Sequence, residues 1–293
     1  MVLVNPNAGF GASLGTIVEV VERNWSDQNV MVSYQVSRSV EDGKQKTREA
    51  VARGVNTILV AGGDGMINSI GSELIGSPVA LGVLPAGSGN GFARHFGIPL
   101  TRDRAARALA HARREKIDVG FANRRPFFVT CGMAADGMLV RTFEKMPMRG
   151  ILPYVFAAAY EFFDYKPSPF QMRLDDGADE VIADPLVFTV ANLTQYGGGA
   201  RIAPQAREDD GLLELVAISK ADVPAALTEV GRLFNGTIDR VDGVLTRRFR
   251  RMLVRRNAAA PIQLDGELFE TTAEVAVEVH PAALTVLIPP RSA

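Results

Sequence analysis

The stretch Thr57-Ile58-Leu59-Val60-Ala61-Gly62-Gly63-Asp64-Gly65-Met66-Ile67-Asn68-Ser69-Ile70 passes from an apolar run through a glycine cluster into apolar residues at helical spacing. It reads as a strand, a glycine turn and a helix start. Glycine tolerates positive φ and lets the backbone approach a ligand closely, so successive N–H groups and the positive helix end can face a phosphate. Asp64 would repel that phosphate unless a divalent cation such as Mg²⁺ lay between them, which makes the segment a candidate nucleotide-phosphate site. The plainer alternative is a tight turn in which Asp64 only caps a helix.

A second segment of the same grammar follows. Leu81-Gly82-Val83-Leu84-Pro85-Ala86 reads as a buried strand that runs into Gly87-Ser88-Gly89-Asn90-Gly91 and the helix-like Phe92-Ala93-Arg94-His95-Phe96. In an open parallel sheet ligands bind beyond the carboxyl ends of the strands, where both glycine loops would lie. Ser88 and Asn90 are placed there to donate to phosphate or ribose.

Outward from these loops, residues 1 to about 118 alternate apolar runs with helical patterns. The runs are Val2 to Val4, Val30 to Val36 and Thr57 to Ala61, with helices over about Ser13 to Arg23 and Glu41 to Arg53. This alternation predicts a doubly wound, Rossmann-like α/β domain. From residue 119 to 293 the texture becomes mainly β, with period-2 strands at Phe127 to Cys131, Leu186 to Ala191, Leu212 to Ile218, Glu274 to His280 and Leu284 to Ile288. Helical patterns over Ile151 to Tyr165 and Ala221 to Phe234 interrupt it. The expectation is two domains, 1–118 and 119–293, the last strand returning to the first.

Composition narrows the function classes. The 293 residues carry a net charge of −1, which gives no general attraction to nucleic acid. One cysteine, Cys131, excludes an internal disulfide framework, and His95, His111 and His280 lack zinc-ligand spacing. The first residues have neither the basic start nor the long apolar run of a signal peptide, and no stretch reaches the length of a membrane span. A cytoplasmic protein is expected. The P-loop ending and the protein-kinase loops are absent; Gly9, Gly11 and Gly15 only loosely imitate a dinucleotide fingerprint, and Ser37-Arg38-Ser39 offers no ribose-binding acid.

Taken in order, Asn5-Pro6-Asn7-Ala8-Gly9, Gly62-Gly63-Asp64-Gly65 with Asn68, Leu84-Pro85-Ala86-Gly87-Ser88-Gly89-Asn90 with Phe92-Ala93-Arg94, Ile117-Asp118, Ala203-Pro204 with Asp209-Asp210-Gly211-Leu212, and Leu264-Asp265-Gly266-Glu267 resemble the soluble diacylglycerol kinase and sphingosine kinase group of lipid kinases, which is related more distantly to NAD kinases. The likeness covers nearly the whole chain. It implies an N-terminal nucleotide domain, a C-terminal β-sandwich domain with ATP bound in the cleft between them, and phosphorylation of a lipid hydroxyl such as that of diacylglycerol or a sphingoid base.

Carried over by position, the resemblance implies ATP contacts at Asn5, Pro6, Ser37, Gly62, Gly63, Asp64, Gly65, Met66, Ile67, Asn68 and Ser88, with Asp118 joining Asp64 around Mg²⁺. Met66 and Gly91 depart from the group's usual threonine and aspartate. It implies that Asp265 is the general base for the attacking hydroxyl, with Glu267 beside the ATP and metal site, so that Asp265→Ala would abolish turnover and leave folding intact. It also implies a structural Mg²⁺ held by Asp210 and the main-chain oxygens of Arg207 and Leu212, through which Mg²⁺ would raise the melting temperature.

By residue chemistry alone, Asp265-Gly266 and Asp209-Asp210-Gly211 could each be simple turns. The aromatics Tyr154, Phe156, Tyr160, Phe162, Phe163 and Tyr165, after Lys145-Met146-Pro147-Met148-Arg149, suit a headgroup at a bilayer surface but also ordinary core packing. The arginine-rich run Arg247 to Arg256 is either a contact for anionic lipid or a solvated strand face. Expected partners are a membrane lipid substrate and transient contact with the inner membrane surface; a homodimer through an exposed sheet edge is compatible with the sequence. A NAD kinase and a catalytically silent nucleotide-binding regulator are the alternative functions.

Overall fold

The computed structural model describes residues 1–6, 13–135, 165–223 and 228–290. They divide into two compact units, Met1–Ile117 with the chain end from Ala282, and Asp118–Pro281.

In the first unit, β1 (Val2–Val4), β2 (Tyr34–Val36), β3 (Thr57–Gly62) and β4 (Ala80–Pro85) form a parallel sheet in the order β2-β1-β3-β4. The end of the strand Glu274–Ile288 adds to β4 in parallel, through Val286 opposite Leu81. β1 and β4 are buried along their whole length, and β3 at all but its first residue. That explains the continuous apolar runs, since a parallel sheet covered on both faces needs no polar side. Around it lie α1 (Leu14–Trp25), α2 (Val40–Ala52), α3 (Asp64–Ser72), α4 (Gly91–His95) and α5 (Arg102–Ala110), with α1 packed on α5 and α2 on α3. Ser13 and Ser39 cap α1 and α2 by accepting from Thr16 N and Asp42 N. The run Val30 to Val36 yields a strand only from Tyr34, because Asn29 is left-handed and the sheet partner Val2 pairs no earlier than Tyr34.

The second unit is β throughout its larger elements. One antiparallel sheet runs Val244–Phe249, Leu213–Ser219, Pro185–Ala191, Thr130–Gly132, Ile262–Leu264, Glu267–Phe269. A second antiparallel group pairs Asp179–Ile182, Phe170–Leu174, Arg251–Arg255 and the first half of Glu274–Ile288. Inward residues of both groups, among them Phe170, Met172, Met252, Val254, Phe188, Leu215, Phe249 and Leu264, make one core, the interior of a sandwich.

Three elements differ from the sequence reading in instructive ways. The predicted strand Phe127 to Cys131 is two strands, Arg125–Phe127 and Thr130–Gly132, interrupted where the N–H groups of Phe128 and Val129 turn to the Asp265 carboxylate. The two predicted terminal strands are one, Glu274–Ile288, which runs through Ala282 at φ 50°. The helical pattern over 151–164 and residues 224–227 lie outside the described residues; Gly231–Asn235 is helical within the second pattern. Among the described residues no helix is long and apolar enough to cross a membrane.

Candidate functional site

Strand ends gather the N-terminal candidates. The Asn5 N–H donates to Ala61 O and the Ser37 N–H to Val4 O, so the carboxyl ends of β1, β2 and β3 sit side by side, with β4 following β3 in register to Gly62 opposite Pro85. Asn5, Pro6, Ser37, Gly62 and the loop after β4 therefore share one edge of the sheet. Ser37 Oγ donates to Ser39 O at 2.9 Å, and Ser88 is exposed at the tip of its loop.

The two glycine loops touch backbone to backbone. A methyl built on Gly87 would lie 2.7 Å from Gly63 Cα, and one on Gly63 would lie 3.1 Å from Gly87 Cα. Real Cβ contacts do not reach 2.7 Å, so glycine at 87 is a packing requirement and not only a turn preference. Met66 folds its thioether over Gly62, where a methyl would meet Sδ at 2.6 Å.

Asp64 ties the loops together. Its carboxylate accepts from Gly91 N at 3.1 Å and Phe92 N at 3.2 Å, capping α4 rather than its own helix. Burial pushes the Asp64 carboxyl above its ordinary value, while the N–H groups of Gly91, Phe92 and Asn90 and the charge of Arg94 pull it back down. Asn90, left-handed at φ 50°, closes the second loop: its Oδ1 accepts from Gly87 N and its Nδ2 donates to Gly87 O. Asn90 thus spends its amide on the loop instead of offering it to a ligand. α3 starts on Gly63 with no side chain capping it, so its first N–H groups are the ones presented at this edge.

In the second unit Asp265 and Gly266 both have positive φ, 49° and 90°, between the paired Leu264 and Glu267. That is the backbone a two-residue type I′ hairpin requires, and Asp-Gly is among its preferred pairs. The turn reading is correct, and the side chain does more. Asp265 Oδ1 accepts from Val129 N at 2.7 Å and Thr130 N at 3.0 Å, and Oδ2 accepts from Phe128 N at 2.8 Å. Gln263 braces the hairpin by accepting from Gly266 N and donating to Thr130 Oγ1. Because three buried donors depend on Asp265, its removal is expected to cost stability as well as turnover, where the sequence reading expected folding to be untouched. Glu267 is exposed on the strand that leaves the turn.

Asp118 lies in the second unit and is buried; its Oδ2 accepts from Gly211 N at 2.6 Å, and its N–H donates to Glu208 O. It is bonded to the Asp209-Asp210-Gly211 loop. Asn192, which no motif singles out, donates Nδ2 to both Asp118 O and Phe128 O and so joins that loop to the strand break held by Asp265. Asp210 accepts from Leu212 N at 3.1 Å through Oδ1 and from Arg248 through Oδ2. Arg207 reaches Asp209 at 3.7 Å on the surface.

Glu214, on Leu213–Ser219, is 3 % exposed and faces Arg248 in the ladder; its Oε2 has no hydrogen-bond partner among the described residues. Burial pushes its carboxyl up to about 7, against the charge of Arg248 and reinforced by Asp239 and Asp210. The native state holds a proton that the unfolded chain releases near 4.5, so stability falls as pH rises from about 4.5 to about 7. Glu214→Gln is expected to flatten that part of the melting-temperature profile against pH and to stabilise the protein above pH 7.

Residues 1–122 match the diacylglycerol kinase catalytic domain family, and residues 129–288 match the YegS C-terminal NAD kinase beta sandwich-like domain family. The chain belongs to the diacylglycerol kinase and YegS lipid kinase family. It is 29 % identical over 294 residues to "Diacylglycerol kinase" of Mycobacterium tuberculosis, covering 98 % of this chain and 94 % of that one. It is also 29 % identical over 276 residues to "Probable lipid kinase YegS-like" of Yersinia enterocolitica, with 92 % and 90 % covered. A solved structure of a diacylglycerol kinase from Bacillus anthracis str. Sterne superimposes with TM-score 0.75 at 18 % identity, covering 99 % of this chain and 96 % of that one, which shows the shared fold. As a member of this lipid kinase family the chain is a phosphotransferase with an alcohol group as acceptor, and the α/β unit followed by a β-sandwich is the architecture the sequence predicts.

Proposed function

We propose that this lipid kinase transfers the γ-phosphate of ATP, taken as its magnesium complex, to a hydroxyl of a membrane lipid such as diacylglycerol or a sphingoid base. The observation that carries the reading is the start of α3, which no side chain caps, beside two glycine loops whose backbones touch. Such a helix start suits phosphate oxygens, because the first N–H groups of a helix lack intrahelical acceptors and its N-terminal end is positive. Ser88 at the loop tip and Ser37 just after β2 carry hydroxyls at the same edge of the sheet. Magnesium, bound with the nucleotide, would neutralise charge developing on the phosphates.

Asp64 contributes by fixing α4 against the first loop, its two oxygens accepting the Gly91 and Phe92 N–H groups. Asp265 serves as the general base: it takes the proton of the acceptor hydroxyl while that oxygen attacks the γ-phosphorus and ADP leaves. The N–H groups of Phe128, Val129 and Thr130 hold its carboxylate in one orientation, so little is left to organise when the acceptor arrives.

The test is label transfer from γ-labelled ATP with Mg²⁺ over mixed micelles of a total lipid extract. Label in the organic phase is the expected result, and chromatography of the product names the lipid. NAD kinase is the second reading, favoured by the description of the matched C-terminal domain; label on NAD in the aqueous phase and none on lipid would overturn the first in its favour. ATP binding with transfer to neither would leave the silent regulator.

The arginine run gives limited support to a bilayer contact. Arg251 and Arg255 project outward from their strand but stand directly opposite Glu278 and Glu274, with Arg255 Nε 3.0 Å from Glu274, so this face is charge-balanced. Neutralising both arginines is expected to change vesicle binding less than twofold. A loss of tenfold or more in a vesicle flotation assay would restore the run as a lipid contact.

A further inference from the structure

We propose that Arg248 is a built-in cation at Asp210, standing where the resemblance implies a structural Mg²⁺, so that the Asp209-Asp210-Gly211 loop of this chain is held without metal. The inference is independent of the proposed function, since it concerns what fixes a loop of the second unit and not the transfer reaction.

The ladder, rather than side-chain reach alone, brings Arg248 to the loop. Val244–Phe249 pairs with Leu213–Ser219 in unbroken register, with Leu213 opposite Phe249 and Glu214 opposite Arg248. Phe249 and Leu213 both point into the sandwich core, which pins that register, because a slip of one residue would expose a fully buried Phe249. Arg248 must then stand on the opposite face, next to the strand start that Asp210 precedes, and there it pairs with the Asp210 carboxylate.

The Asp210 carboxylate, the side-chain ligand of the implied set, is already engaged. Asp210 Oδ2 meets the Arg248 guanidinium and Oδ1 accepts from Leu212 N. The neighbouring Asp118 carboxylate accepts from Gly211 N, and Glu208 O accepts from Asp118 N. Mg²⁺ demands near-ideal octahedral oxygen geometry and gives up its water reluctantly, and here it would also have to displace a guanidinium from the Asp210 carboxylate. Arginine suits the post because it stays charged at every working pH and its planar fork matches a carboxylate. The pair is partly sheltered, with the Asp210 side chain 18 % exposed and Arg248 43 %.

The test is the melting temperature of the full chain, free of nucleotide, in millimolar Mg²⁺ against EDTA, for wild type, Asp210→Asn, Arg248→Met and Arg248→Lys. Wild type is expected to shift by less than about 1 °C. Arg248→Met is expected to melt lower than wild type and to gain a Mg²⁺-dependent rise, and Arg248→Lys to stay nearer wild type in EDTA. A Mg²⁺-dependent rise in wild type that disappears in Asp210→Asn would overturn the proposal; a rise that survives Asp210→Asn belongs to another site and agrees with it. Arg248→Met melting as wild type does in EDTA would also overturn it. Should Arg248→Met not fold, the wild-type and Asp210→Asn comparison decides alone.

Discussion

Asp265→Ala is expected to lose at least a thousandfold in transfer rate and, in the same protein, several degrees of melting temperature. The second effect follows from three short bonds: Phe128, Val129 and Thr130 all donate their N–H to this carboxylate inside the sandwich. A buried donor left unpaired costs about 1–3 kcal/mol, and for a chain of this size each kcal/mol lowers the melting temperature by roughly 2–4 °C, so a drop of about 5 °C or more is expected. Inactivity of the alanine variant therefore cannot by itself assign a base. Asp265→Asn separates the two roles: it keeps the volume and one carbonyl oxygen for the Val129 and Thr130 donors, but it cannot take a proton. Thermal melts and initial rates on both variants, measured side by side, check this.

Gly87→Ala is the second large effect. The new methyl would stand 2.7 Å from Gly63 Cα, and the obstacle is backbone, which cannot swing aside as a side chain does. The loops must part by several tenths of an ångström, which pulls Asn90 from its two bonds to Gly87 and Asp64 from Gly91 and Phe92. Misplacing a positioning element by this order can cost about a hundredfold in rate. We expect kcat/KM for ATP to fall about a hundredfold, with a raised KM, while overpacking strain costs only about 1–3 kcal/mol of stability. Gly15→Ala, in open space on α1, is the matched control and should change neither. Steady-state kinetics with varied ATP reads both.

How much of this was legible in the chain depends on the range of the interactions. The buried parallel strands β1, β3 and β4 announce themselves as unbroken apolar runs, and the glycine turns after β3 and β4 are local, so their common edge of the sheet could be placed from residue order alone. Period-2 runs such as Pro185–Ala191 and Leu213–Ser219 were equally readable. Asp64 was not: whether its carboxylate meets a metal, its own helix or another helix turns on a loop 27 residues later. The break between Phe127 and Thr130 was hidden for the same reason, because the acceptor that draws those N–H groups out of the ladder lies about 136 residues away in sequence. Arg248 sat within a run of arginines that composition treats alike. Only the register of its strand separates it from Arg251 and Arg255, which face Glu278 and Glu274 on the other group of strands.

The role proposed for Asp265 is to remove the proton of the acceptor hydroxyl. Its most direct test is a single-turnover measurement with γ-labelled ATP prebound to wild type and to Asp265→Asn, after ATP affinity has been measured for each. Equal ATP affinity, and lipid labelling at least a thousandfold slower in Asp265→Asn, are expected. Lipid labelling at near wild-type rate by an Asp265→Asn protein that binds ATP normally would contradict it, and would reduce Asp265 to the clasp of a hairpin.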